Sequence, residues 1–178
     1  MSRNVPFEGF VLKKTQLLEG DYMVTFLTKS NGKLKMMAKG VKKITSKRAS
    51  HIQTGNKLKW FATKHISGMW YLGSTSLISG IATIKEHGER SSALYKALQV
   101  MDVVLPEDQK EKNIFNAFGL FLKKLSENES DQNSLVFGFV EALVNYLGYG
   151  SKKIANNFDL NKVVAEISGQ DVSFYDNN

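Results

Sequence analysis

Cysteine is absent from the 178 residues, which excludes disulfides and any thiolate metal site and fits a reducing cytoplasm. Histidine is scarce: His51, His65 and His87 are too dispersed for a local metal motif, so no metal is expected. No run of ~18 apolar residues occurs, so no transmembrane helix is expected. The first ten residues, MSRNVPFEGF, lack the apolar core of a signal peptide. HExxH, GxSxG, the GxxxxGK[ST] phosphate loop and paired acidic metal cradles are all missing. The chain therefore reads as a non-enzyme without a cofactor. The most informative gap is in acidic side chains. Between Asp21 and Glu86 there is no Asp or Glu, yet that stretch holds twelve Lys or Arg.

What is present forms a globular chain of two characters. A hydrophobic fraction of 42% with 11% aromatics suffices for a packed core. Residues 1–70 carry 14 Lys/Arg against 3 Asp/Glu, and residues 71–178 carry 10 against 14, so the net +7 splits into +11 and −4. A half with such a surplus attracts polyanions.

The first half reads as strands. Phe7–Leu12 is a short apolar run, Glu19-Gly20-Asp21 a turn, and Tyr22–Thr28 a stretch rich in β-branched and aromatic residues. Ser30-Asn31-Gly32 signals a tight hairpin. Gly32–Ala38 and Lys57–Thr63 alternate, and Met69–Leu77 supplies a last strand. Five strands within about 80 residues suggest a small closed barrel. The second half changes period. Ser91–Leu105, Asn113–Leu125 and Leu135–Leu147 place apolar residues three and four apart, with Pro106 stopping the first and Gly148 capping the third. Asp159–Ile167 fits a short fourth helix, and Ser126–Ser134 a polar connector. The expected class is α+β, with a β-barrel domain at 1–79, a helical domain at 80–178 and a loose tail at 169–178. Phe115, Phe118, Phe121, Phe137 and Phe139 should be core, any exposed remainder serving to dock a partner peptide.

The basic residues concentrate between Gly32 and Arg48, which holds seven cations and no acid. Alternation predicts Lys33 and Lys35 on one face of their strand, and Lys57 and Lys59 on one face of theirs. Such lysines sit roughly 7 Å apart, near the ~6–7 Å spacing of phosphates on a single strand. The candidate nucleic-acid contacts are therefore Lys13, Lys33, Lys35, Lys57 and Lys59 on strands and Lys39, Lys42, Lys43, Lys47 and Arg48 in a following loop. Lys14 and Lys64 extend the set, and Phe61, Trp70 and Tyr71 are candidate base platforms. A membrane surface fits less well, because this basic segment is strand and loop rather than amphipathic helix. On the residues alone, an RNA-binding barrel and an interaction scaffold for an acidic protein stay open beside DNA.

Several short motifs, in order, resemble one family. They are Gly9-Phe10-Val11-Leu12-Lys13, Glu19-Gly20-Asp21, Thr25-Phe26-Leu27-Thr28, Gly32-Lys33-Leu34, Ala38-Lys39-Gly40-Val41, Ser46-Lys47-Arg48 and Val140–Tyr149. Together they resemble the RecO family of bacterial recombination mediators. The resemblance implies an OB-fold barrel followed by a helical domain. It implies binding of single- and double-stranded DNA, strand annealing, and recombinase loading on DNA coated by single-strand-binding protein (SSB). The implied partners are RecR, through the barrel, and the acidic, Phe-ended C-terminal tail of SSB, through the helical domain. The implied location is a nucleoid-associated one in the bacterial cytoplasm. Many members carry a four-cysteine zinc site after the Leu-Gly-Tyr helix. Here Gly150–Asn178 has no Cys, so no zinc is expected, and the family's later helices are expected to be pruned.

Overall fold

The computed structural model describes residues 4–41, 47–127, 131–170 and 173–174. Alternating, β-branched sequence gives five strands: β1 (Asn4–Gln16), β2 (Tyr22–Thr28), β3 (Gly32–Ala38), β4 (Lys57–Lys64) and β5 (Trp70–Ser79). They close into a barrel in the order β1-β2-β3-β5-β4. Closure depends on β1 being longer than its apolar run suggests. Its first part, Asn4–Phe10, pairs with β4, and its second, Gly9–Gln16, pairs with β2. A register shift between Val11 and Lys13 coils the strand from one neighbour to the other. Pro6 is tolerated because it lies before Gly9, where β1 has a partner on one edge only.

The turns follow the expected chemistry. In the β2–β3 hairpin, Gly32 adopts φ 69°, and the Thr28 hydroxyl donates to the Gly32 carbonyl at 2.9 Å. In the β1–β2 turn, the Asp21 carboxylate accepts the Gly40 N–H at 2.7 Å. That bond ties the turn to the chain leaving β3.

The barrel core is built around Trp60. Its ring stacks on Phe26 at 4.2 Å and on Phe7 at 5.7 Å, and its Nε1 donates to Met36 Sδ at 3.2 Å. Gly9 makes room for it: a Cβ there would lie 2.9 Å from Trp60 Cη2 and 2.5 Å from the Leu27 carbonyl oxygen. A short helix, α1 (Lys47–His51), leads into Ile52, which is fully buried in this core. The Lys39–Arg48 loop expectation therefore ends in helix. Asn56 closes α1, donating from Nδ2 to the His51 carbonyl at 2.9 Å.

The helices are α2 (Ala82–Lys85), α3 (Gly88–Val104), α4 (Lys112–Glu127), α5 (Gln132–Tyr146) and α6 (Asn157–Ser168). α3 is the hub of this group. It buries Leu94, Ala97, Val100 and Met101, and also Lys96, whose Nζ donates to Asn157 Oδ1 at 2.8 Å. A cluster of Phe118, Phe121 and Phe139, with rings 5.0–6.0 Å apart, joins α4 to α5. Asp131 caps α5, accepting the Ser134 N–H at 3.1 Å and its hydroxyl at 2.7 Å. The Ser134 hydroxyl and then its backbone amide hold the Asp131 carboxyl below its usual range. Gly148 ends α5 as expected, at φ 87°, with Tyr149 N–H bonded to the Val144 carbonyl at 3.2 Å.

Two expectations need correction. Phe174 is not part of a loose tail: it is buried, its N–H donating to Asn161 Oδ1 at 2.8 Å. The division into units is not contiguous either. One unit is Met1–Gly80 with Pro106–Lys112, and the other is Ile81–Leu105 with Asn113–Asn178. The reason lies in β3. It meets β5 only at Met36 and Met37, so the edge at Gly32–Lys35 is left open on that side. Pro106–Lys112 fills that edge. Lys33 bridges Glu107 in parallel, and the Asp108 N–H donates to the Lys33 carbonyl at 3.0 Å.

Candidate nucleic-acid interface

The outer face of β2 and β3 is not the open cationic floor that alternation suggests. Lys33 is only 7% exposed, and its cross-strand neighbour Leu27 is likewise buried. Lys35 is exposed, but its ammonium is ion-paired with Glu107. Gly32 is held against the same returning segment, where a Cβ would collide with the Gln109 backbone. So Lys33 and Lys35 are placed against a strap, an arrangement set by residues some seventy positions later. Lys42 and Lys43 lie outside the described residues, as does the side chain of Lys47.

The remaining cations fall into two groups. The first is at the end of the barrel where the β1–β2 turn, the chain after β3 and the β4–β5 turn meet. The register brings these together: Tyr22 pairs with Ala38, Met37 with Tyr71, and Tyr71 with Thr63. Here each aromatic ring carries a lysine. Lys14 Nζ lies 5.1 Å from the Tyr22 ring, Lys39 Nζ 5.0 Å from Tyr71, and Lys64 Nζ 5.6 Å from Trp70. His65 meets Tyr71 edge-on at 5.9 Å. Arg48 braces the group from beneath. Its Nη2 donates to the Lys39 carbonyl at 3.0 Å and its Nη1 to the Leu72 carbonyl at 3.3 Å. Arg48 is thus a positioning residue for Lys39. Lys13, exposed just past the register shift of β1, faces solvent beside Lys14 in sequence.

The second group lies on the outer face of β1 and β4. Lys59 pairs with Glu8 across the strands and Lys57 with Phe10, whose ring Lys57 Nζ approaches to 5.6 Å. Glu8 accepts from Lys57 Nζ at 3.1 Å and faces Lys29 Nζ at 4.0 Å. Burial pushes the Glu8 carboxyl up, but the Lys57 hydrogen bond and the charges of Lys57, Lys29 and Lys59 outweigh it and hold it below its usual range. Lys29 was not among the sequence candidates. The signal was its place in the hairpin turn, where its amide donates to the Glu8 carbonyl at 2.9 Å.

Among the described residues, no three His, Cys, Asp or Glu side chains gather to hold a metal ion. Among the same residues, no helix is long and apolar enough to cross a membrane. The arrangement offers cations alternating with π-faces, suited to charged backbones and planar bases.

Residues 1–81 match the family model described as recombination protein O N terminal. Relatives named DNA repair protein RecO include one from Alkaliphilus metalliredigens, 26% identical over 141 residues, covering 79% of this chain and 57% of the relative. Another, from Thermoanaerobacter sp. (strain X514), is 25% identical over 142 residues, covering 80% and 57%. A third, from Chlorobaculum parvum, is 23% identical over 174 residues, covering 96% and 67%. The chain spans a little over half the length of the first two.

Proposed function

We propose that the chain is a RecO-family protein, as the match of residues 1–81 to that family's N-terminal model supports, and that it is a non-enzymatic DNA-binding protein of recombinational repair. Its barrel is an OB-fold that binds single- and double-stranded DNA, anneals complementary strands and assists recombinase loading on SSB-coated DNA in the bacterial cytoplasm, on the nucleoid. The observation that carries the reading is the barrel end, where Lys14, Lys39 and Lys64 each lie over an aromatic ring. Lysines neutralise phosphates, lower the repulsion between two strands and let complementary bases meet.

The test is annealing and binding of complementary oligonucleotides across a salt series. If ~4–6 phosphates are engaged, log affinity falls with log salt with a slope of roughly −3 to −4 on a single strand. A flat salt response overturns the mechanism.

Lys35 is held by Glu107 in the free protein. A surface pair of this kind adds little to stability, so Glu107→Gln should leave the fold intact. It is expected to steepen the salt slope by about 0.7, one further phosphate contact on a single strand. The control is Glu111→Gln, which removes an equal charge from the same segment and should leave the slope unchanged.

RecR is the proposed partner of the barrel, and the SSB tail that of the helical unit. Supporting the second is a groove of about 590 Å³ between α4 and α5. Leu120, 54% exposed, and Phe121 offer an apolar seat, with Lys124 at the rim for an acidic tail.

A further inference from the structure

The barrel carries a cleft of about 730 Å³ on the outer side of β1, β4 and β5, lined by none of the lysine–aromatic pairs of the barrel end. Its size lies within the ~300–1,000 Å³ usual for small-ligand sites. Cross-strand rows build it. Pro6 stands opposite Phe61, and Glu8 opposite Lys59, which faces Ser76 in turn. Lys29 and Ser30, from the β2–β3 turn, close one side.

Three features give this cleft a chemistry. Phe61 is 48% exposed on the outer face of β4, the face it shares with Lys59. The β4–β5 register shifts between Trp60 and Ala62, so that Gly73 and Ser74 bulge opposite Phe61. A Cβ on Gly73 would stand 2.9 Å from the Phe61 carbonyl oxygen, so glycine lets the bulge lie close against the Phe61 backbone. One row away, Lys59 is exposed and makes no ion pair with the described residues, while Lys29 is oriented toward the cleft by Glu8. Rows two residues apart along a strand are separated by about 7 Å, the separation needed between a base on Phe61 and the phosphate beside it.

We propose that this cleft is a second nucleic-acid site that takes unpaired nucleotides, one base lying on Phe61 and the adjoining phosphates on Lys59 and Lys29. The inference rests on the DNA-binding reading above and adds a second seat, selective for single strands. In a duplex both faces of each base are stacked on its neighbours, leaving Phe61 nothing to cover. A protein with two seats holds two strands at once, which annealing requires.

The test uses the full chain, a fluorescein-labelled oligothymidylate and a blunt duplex of equal length, with binding read by anisotropy. Phe61→Ala is expected to weaken the oligothymidylate binding step at the cleft, one of two on the wild type, roughly five- to a hundredfold, the range of one base–aromatic stack, and to leave duplex binding unchanged. Phe61→Trp should restore single-strand affinity. Combined with Lys39→Glu and Lys64→Glu, Phe61→Ala should remove the single-strand binding that either change alone leaves, since each seat binds without the other. Equal losses on single strand and duplex, no loss on the single strand, or a combined loss no larger than that of the barrel-end change alone would each overturn the second site. A wild-type chain that binds neither probe overturns the DNA-binding reading itself.

Discussion

Replacing Lys39 and Lys64 together by glutamate is expected to weaken single-strand binding on the order of a hundredfold at low salt and to abolish annealing. A hydrogen bond to a charged group contributes about 1.5–3 kcal/mol, so two lost contacts account for that scale before any repulsion from the new carboxylates. Both lysines are exposed, and each holds an aromatic ring whose half-buried body stays in place without it. The melting temperature of the variant should therefore match the wild type, and circular dichroism checks this. Arg48 would be a poorer choice, since its guanidinium bonds two backbone carbonyls and its loss would disturb the fold. A folded double variant that still anneals at the wild-type rate would remove the barrel end from the mechanism.

The largest effect on stability is expected at Trp60. Truncation to alanine should cost about 3–5 kcal/mol, the usual penalty for removing a buried large aromatic. Stability for a domain is about 5–15 kcal/mol in total, so the barrel would be left marginal or unfolded. The ring fills the space between Phe7 and Phe26 and satisfies its N–H on Met36 Sδ. Collapse around the void is limited because Gly9 has no side chain to move into it. Denaturant titration measures the loss. Trp60→Phe, which keeps the stack and gives up the N–H, should fall well short of it. An alanine variant with an unchanged midpoint would mean that the stack is not what holds the barrel together.

Much of the fold was legible because local rules decided it. β-branched and aromatic content placed β2, and alternation β3, to the residue, and the Asn31-Gly32 hairpin turned as its chemistry requires. The short family motifs gain a physical meaning in the barrel: Asp21 of the first turn holds Gly40 of the Ala-Lys-Gly segment. What alternation does not reveal is what covers a face. It put Lys33 and Lys35 outward correctly, but not the return of Glu107 to meet them, because nothing local marks a contact seventy residues away. Phe174 was misjudged for the same reason, its partner Asn161 lying on another element. The site was legible as a charge imbalance, while its organisation into lysine–aromatic pairs depended on strand register.

The returning strap also bears on how the barrel is made. On a ribosome the five strands are complete once Ser79 has emerged, but the segment that covers the open edge of β3 follows about thirty residues later. At 5–20 residues per second that interval lasts roughly 2–6 s. Throughout it the nascent barrel offers an uncovered strand edge to any neighbouring chain. A cut placed at Gly80 would make that interval permanent, leaving a barrel complete in its strands but prone to pairing with its own copies.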